Sequence, residues 1–203
     1  MKIRWSAVSA ALAVVVLAGC ASSTEPQVAV LQGDMLPPMR WDFHPEGEAW
    51  TRASLAMLET DASALTQIVP ADIEIWCPGY ADADADGRAA FWAGLVSTLA
   101  RHESTWNPTA VGGGGRWFGL VQITPATARG YGCAVGTGTD LLDGEANLRC
   151  GLRIMAETVP RDGVVSAGMR GVAADWGPFH QGTKREDMRA WVSSQDYCQP
   201  SDS

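Results

Sequence analysis

A carboxylate stands in this sequence at a position where a helix is expected to be apolar. Residues 88–104 have the spacing of a helix with one buried face, because Trp92, Val96 and Leu99 recur at offsets of four and three. At about 100° per residue, Glu103 falls on that same face. Burial would raise the pKa of this carboxyl group, and a carboxyl that stays protonated near neutral pH suits general acid catalysis.

The end of this predicted helix should also raise the pKa of Glu103. Asn107-Pro108 follows, and because a residue before proline avoids the α region, the helix is expected to end there. Glu103 would then lie near a helix C-terminus, where the macrodipole disfavours negative charge. The alternative is an ordinary last-turn glutamate that turns out to water. Position alone favours that alternative, and the neighbouring motifs reverse the preference.

Three segments in a fixed order carry a recognisable pattern. They are residues 102–108 (HESTWNP), residues 119–128 (GLVQITPATA) and residues 147–152 (NLRCGL). Together they resemble the lytic transglycosylase domain related to goose-type lysozyme, over about residues 88–180. The resemblance implies a mainly α, lysozyme-like helical domain with at most a small β-hairpin. It also implies cleavage of the β-1,4 bond between N-acetylmuramic acid and N-acetylglucosamine in peptidoglycan, with a 1,6-anhydromuramoyl product and without a metal or organic cofactor.

The resemblance assigns roles to four residues of these segments. Glu103 would be the catalytic acid and base, and Gln122 would line the sugar groove. Gly119 would bring the backbone close to the substrate. Ser104 would hold either the helix end or a sugar.

One part of the family pattern is missing. A tyrosine in an Ala-Tyr-Asn-Ala-Gly-Pro context normally contacts the catalytic glutamate, but residues 173–178 read AADWGP. Tyr131 or Asp175 could take its place as a substrate-binding residue. A carboxylate at Asp175 could also direct a water molecule, which would make the protein a muramidase. A third alternative is a peptidoglycan-binding lipoprotein that has lost catalysis.

Several elements are predicted to position these residues. Thr124-Pro125 should start a short helix that ends at Gly130, and residues 140–159 should form a longer one. Thr183 to Glu186 reads as a capping box that opens a last helix through Trp191. A small hairpin is expected near residues 112–123. Asp86, in an acidic turn that lacks the glutamate of a calcium loop, is expected to cap the Glu103 helix.

The N-terminus has the features of a lipoprotein signal. Residues 1–19 combine a basic start with an apolar run too short to span a bilayer, and Leu17-Ala18-Gly19-Cys20 resembles a bacterial lipobox. Cys20 would be lipidated, which predicts a periplasmic protein anchored in the inner leaflet of the outer membrane. Residues 20–44 would be the tether, 45–87 a helical extension, 88–198 the lysozyme-like domain and 199–203 a tail.

Charge and cysteine content limit the partners. Without residues 1–19 the chain has 13 basic and 23 acidic residues, a net charge of −10 with neutral histidines, which argues against nucleic acid. The expected partner is the peptidoglycan glycan strand, and some of the nine tryptophans could stack on its sugars. Four cysteines besides Cys20 predict two disulfides with three connectivities, of which Cys133–Cys150 with Cys77–Cys198 is favoured. No metal-binding pattern is found.

Overall fold

The computed structural model describes residues 35–200. The signal peptide, Cys20, most of the tether and the end of the tail lie outside the described residues. Within them the chain is mainly helical with one small antiparallel sheet, as predicted. The helices are α1 (Gly47–Glu59), α2 (Ala64–Gln67), α3 (Ala85–Ser104), α4 (Pro125–Gly130), α5 (Gly144–Asp162) and α6 (Gly182–Ser193), and the strands are β1 (Val111–Gly112) and β2 (Trp117–Phe118). No helix of this described part is long and apolar enough to cross a membrane.

Helix α3 is the centre of the fold. Every residue from Ala89 to Ala100 is buried, so the helix is surrounded on all sides, and α1, α2 and α6 pack against it. Its N-cap is Asp84, whose extended backbone lets the side chain accept a hydrogen bond from the Gly87 backbone N–H at 2.8 Å. The prediction of Asp86 as the cap was wrong, because Asp86 lies inside the first turn.

The C-terminus of α3 is made by backbone conformation. Thr105 and Trp106 both have positive φ angles of 55° and 58°, which non-glycine residues seldom adopt. The Thr105 N–H closes the helix on the carbonyls of Ala100 and Arg101. The helix therefore ends before Asn107, the residue at which proline was expected to stop it, and Glu103 remains in the last turn.

The N-terminal part of the described chain is packed into the same core. Met39 and Trp41 are buried, and the Trp41 indole donates to Thr51 Oγ1 at 2.9 Å. Packing thus begins before residue 45, where the sequence placed the end of the tether. Residues 45–87 and 88–198 also lie within one compact unit. The division of this unit into an extension and a domain stays a prediction.

The other predicted elements mostly form. The hairpin pairs Val111 with Phe118, and Thr124 caps α4 by accepting from the Thr127 N–H. The prediction of a capping box at Thr183 was wrong. Helix α6 begins two residues earlier than that cap implies, at Gly182, and its cap is Gln181, without a side-chain hydrogen bond.

Both disulfides are present with the favoured pairing. Cys77 is joined to Cys198 across 121 residues, and Cys133 to Cys150 across 17. The first links the turn before α3 to the end of the described chain, and the Gly79 N–H adds a backbone hydrogen bond to the Cys198 carbonyl at 2.9 Å. The second attaches the loop after α4 to the middle of α5. The two disulfides therefore fix the turn before α3 and the loop after α4 within the fold.

Candidate active site

Glu103 lies at the bottom of an open cleft of about 350 Å³. The cleft runs between the end of α3, the hairpin, the turn after residue 174 and the start of α6. Its walls are formed by His102, Glu103, Gly112, Gly113, Trp117, Gln122, Asp175, Trp176, Gly177, Pro178, Gln181 and Lys184. Three residues that the sequence singled out, Glu103, Gln122 and Asp175, thus share one cleft.

The carboxyl group of Glu103 is desolvated. Burial raises its pKa to about 7, and the positive charge of Lys184 partly opposes this rise. Within residues 35–200, no side chain or backbone group donates a hydrogen bond to this carboxylate. A half-buried carboxyl without a donor is favoured in its protonated form near neutral pH, as the helical pattern predicted.

The hairpin supplies the wall that faces α3. Gln122 has a positive φ of 51°, and its amide donates to the Gly119 and Ala110 carbonyls at 2.8 and 3.2 Å. Its Oε1 lies so close to Gly112 that a Cβ there would collide with it. Trp117 is 39% exposed at the rim of the cleft. These contacts fix the Gln122 side chain against the hairpin.

Asn147 holds the segment that carries Gln122 in place. It is fully buried on α5, and its amide donates to the Phe118 and Leu141 carbonyls at 2.9 and 3.0 Å. Its oxygen accepts from the Val121 N–H at 2.9 Å. Gly119, with φ of 79°, packs against this amide, where a Cβ would meet Asn147 and the Leu141 carbonyl. The Cβ position of Gly119 therefore faces the interior, and the close approach of its backbone to the substrate stays a prediction.

Asp175, which lines the cleft, forms a pair with Tyr131. The Tyr131 hydroxyl donates to Asp175 Oδ2 at 3.5 Å, a long hydrogen bond. Desolvation raises the pKa of Asp175, and desolvation together with the Asp175 charge raises the pKa of Tyr131. Tyr131 is not among the residues that line the cleft around Glu103. It contacts Asp175, and no hydrogen bond joins it to Glu103 among the described residues.

The two residues that flank Glu103 have structural contacts. Ser104 Oγ donates to the Ala100 carbonyl at 3.2 Å, which leaves it holding the helix end rather than facing the cleft. His102 Nε2 lies 2.7 Å from Asp187 Oδ2, and Asp187 also binds Arg40 and Arg101. Burial lowers the pKa of His102. The Asp187 cluster fastens the end of α3 to α6, and so fixes Glu103 relative to Lys184.

Sequence reasoning missed Lys184 and the buried contacts of Asn147. For Lys184 there was a signal, since it is the only lysine after Lys2. Its neighbourhood to Glu103 depends on how α6 packs on α3, which no local pattern encodes. Within the described residues, no group of three or more histidine, cysteine, aspartate or glutamate side chains is arranged to hold a metal ion.

Comparisons with known proteins agree with this geometry. A family model described as Transglycosylase SLT domain matches residues 83–166. Solved structures of DslA, the wild-type protein and two variants that each replace a glutamate with glutamine, are similar to this chain with TM-scores of 0.73, 0.74 and 0.74. They are 25–26% identical in sequence and cover 81% of this chain and 100% of their own. No curated protein sequence matches this chain.

Proposed function

Because residues 83–166 form a transglycosylase SLT domain, a domain that acts on peptidoglycan, we propose that this protein cleaves glycan strands as a lytic transglycosylase. The observation that carries the proposal is the carboxyl group of Glu103. It lies in the cleft, it has a pKa of about 7, and within residues 35–200 no protein group donates to it. These are the properties required of an acid that must be protonated before the reaction and ionised during it.

The first step is proton transfer from Glu103. The protonated carboxyl donates to the glycosidic oxygen between N-acetylmuramic acid and N-acetylglucosamine. The bond from C1 to that oxygen breaks, the oxygen leaves as a hydroxyl, and positive charge develops on the muramic acid ring. Glu103 is now ionised, and its charge and that of Lys184 attract each other.

The second step closes a ring. The ionised Glu103 removes the proton of the muramic acid C6 hydroxyl, whose oxygen attacks C1 of the same sugar. The product is a 1,6-anhydromuramoyl end, Glu103 is protonated again, and no water is consumed. Trp117 and Gln122 would contact the sugars along the cleft, and Asp175 with Tyr131 would bind the strand at its other end.

Asp175 supports a second candidate. A carboxylate in the same cleft as a protonated glutamate could direct a water molecule to C1, which would make the protein a muramidase. A third candidate, a peptidoglycan-binding protein without catalysis, is supported by the lack of a tyrosine beside Glu103.

Product analysis separates these candidates. Purified peptidoglycan is digested with the protein, and the soluble products are identified by mass spectrometry. Anhydro ends, lighter than hydrated ends by one water, are the expected result, and reducing ends would identify a muramidase instead. A protein that releases neither product but still sediments with peptidoglycan would be a binding protein.

Substitution of Glu103 tests whether this residue is the general acid. Glu103→Gln keeps the size of the side chain but cannot donate a proton, so cleavage should fall by at least about 100-fold while binding persists. The matched control is Glu59→Gln, an exposed glutamate at the end of α1. Near wild-type cleavage by Glu103→Gln would rule out Glu103 as the acid.

The location follows from the substrate. Proteins with this domain act on peptidoglycan in the periplasm. We further propose lipidation of Cys20 and attachment to the outer membrane, on the strength of the lipobox.

A further inference from the structure

One cation of the cleft is not used by the fold. Lys184 lies half-buried in the first turn of α6 and lines the cleft together with Glu103. In the part of the chain that the structure describes, no carboxylate lies within salt-bridge distance of its ammonium group, and it donates no hydrogen bond. Its charge is nevertheless close enough to lower the pKa of Glu103.

Neighbouring cations differ from Lys184 in this respect. Arg185 donates to the Phe179 carbonyl at 3.0 Å, Arg189 pairs with Glu186 at 2.9 Å, and Arg101 pairs with Asp187 at 3.0 Å. Each of them thereby holds α6 or the turn before it. Among the described residues Lys184 makes no such contact, so its ammonium group is available to a ligand that enters the cleft.

Glu103 does not compensate this charge when the substrate arrives. The proposed reaction needs Glu103 in its neutral, protonated form at that moment, so the cleft then contains an uncompensated positive charge. An anionic group on the ligand would supply the missing partner. Because the chain after residue 19 carries a net charge of −10, a local cation is also needed to hold an anion against the overall repulsion.

We propose that Lys184 binds a carboxylate of the substrate and so makes the cleft selective for acidic glycan strands over neutral ones. This inference rests on the proposed action on peptidoglycan. Peptidoglycan offers carboxylates from two sources. The lactyl group of muramic acid bears one when the strand has no peptide, and the stem peptide bears others when it is attached. Neutral N-acetylglucosamine polymers carry neither.

Binding is measured without turnover, in the Glu103→Gln background. This background also removes the effect of Lys184 on the charge of Glu103. Three soluble probes are titrated by calorimetry: glycan strands that carry peptides, strands freed of peptide by an amidase, and the freed strands after their carboxylates have been converted to neutral amides. Lys184→Met removes the charge at similar length, and Lys184→Arg retains it.

We expect Lys184→Met to have a larger dissociation constant for the probes that carry a carboxylate. Lys184→Met should weaken binding of at least one of the two acidic probes by about five- to twentyfold, and binding of the amidated strands by less than about twofold. Loss confined to peptide-bearing strands places the carboxylate in the peptide, and loss confined to freed strands places it on the lactyl group. Lys184→Arg should recover most of the affinity. Equal weakening of all three probes, or none, would overturn the proposal.

A matched control tests for a general effect of charge, and thermal unfolding tests whether each variant is folded. Arg52→Met removes one positive charge from the exposed side of α1, where Arg52 pairs only with Glu48, and should leave all three affinities unchanged. Thermal unfolding of each variant verifies that the fold is kept. If wild-type protein releases no product but carboxylate-dependent binding is found, the proposed function fails and the role of Lys184 stands. If product is released and binding does not depend on the carboxylate, the proposed function stands and the role of Lys184 fails.

Discussion

At the scale of single residues, two opposing effects in the cleft act on the ionisation of Glu103. Burial favours the neutral form of Glu103, and the nearby Lys184 favours its ionised form. The result is a carboxyl group with a pKa of about 7, which is useful to an acid that must change its charge within one turnover. Neither residue forms an ion pair with the other, so the balance depends on how deeply the carboxyl group is buried in the last turn of α3.

The pH dependence of cleavage should follow Glu103. Because the proposed reaction begins with a protonated carboxyl, kcat/KM is expected to decrease about tenfold per pH unit above pH 7. Lys184→Met removes the charge that lowers this pKa, so its decrease should begin at a higher pH. Both profiles are obtained from initial rates on soluble glycan strands. Identical alkaline limbs in wild type and variant would show that the Lys184 charge does not reach Glu103.

The free energy of unfolding should also depend on pH through Glu103. The pKa of Glu103 is raised from its ordinary value of 4.5 to about 7 in the folded protein. Its favourable contribution is therefore complete below about pH 4.5 and is lost as the pH rises through 7. Glu103→Gln does not titrate, so at pH 8 it should be more stable than wild type by about 1–3 kcal/mol. Urea unfolding at pH 4 and pH 8 measures this, and a stability difference that ignores pH would contradict it.

At the scale of elements, α5 positions the hairpin through one side chain. Asn147 binds the Phe118 carbonyl and the Val121 N–H of the loop that carries Gln122, and also the Leu141 carbonyl of the turn before α5. A loop with this many backbone groups fixed from one helix is held rigidly against it. The geometry of the cleft wall therefore depends on a residue that does not touch the cleft.

Replacing Asn147 should affect both folding and the site. Asn147→Ala leaves the Val121 N–H and the Leu141 carbonyl without partners, while the Phe118 carbonyl keeps its hydrogen bond from the Ile123 N–H. The free energy of unfolding should therefore fall by about 2–4 kcal/mol. The loop should also lose its fixed position, so kcat should drop more than the loss of folded protein explains. Denaturant titration and product release measure the two effects. Asn107→Ala is the matched control, because Asn107 is exposed and, among the described residues, its side chain accepts hydrogen bonds from Thr109 alone. A loss in Asn147→Ala no larger than in this control would refute the positioning role.

The sequence was most informative where structure is local. The apolar stripe predicted α3, and Thr124-Pro125 predicted the start of α4, because each signal lies within one or two turns. The end of α3 could not be placed so well, since Thr105 adopts a left-handed conformation that its residue type does not favour. The partners of Asn147 lie 6 to 29 positions away along the chain, so their hydrogen bonds follow from tertiary packing alone.

The candidate site follows the same division. Motifs identified Glu103, Gln122 and Asp175 as residues of one site, and all three line the cleft. They did not reveal that the Cβ position of Gly119 packs against the buried Asn147. Nor did they indicate Lys184, because its place in the cleft results from the packing of α6 on α3.

At the scale of the whole molecule, the segment around Arg40 connects the proposed tether to the helical core. Arg40 pairs with Asp187 on α6, and its backbone N–H donates to Ser97 Oγ on α3 at 3.1 Å. The segment that follows the proposed tether is therefore bound directly to the two helices that carry Glu103 and Lys184. The N-terminal segment therefore links α3 and α6 next to the cleft.

Membrane attachment itself can be tested with one substitution. Cys20→Ala removes the residue that the lipobox would lipidate, so the protein should move from the membrane fraction to the soluble periplasmic fraction. Fractionation followed by immunodetection measures this, with Cys133→Ala as a control for the loss of a cysteine elsewhere. Continued membrane association of the Cys20 variant would exclude lipidation as the anchor.

The two disulfides are nested, and this has a consequence for how the protein is made. Cys133–Cys150 lies entirely between Cys77 and Cys198 in the sequence. If the chain enters an oxidising compartment N-terminus first, Cys77 meets Cys133 and Cys150 long before its own partner arrives. An oxidant that joins thiols in order of appearance would produce the wrong pair, and exchange through a mixed disulfide would have to correct it. Maturation of this protein should therefore depend on a disulfide isomerase as well as on an oxidase.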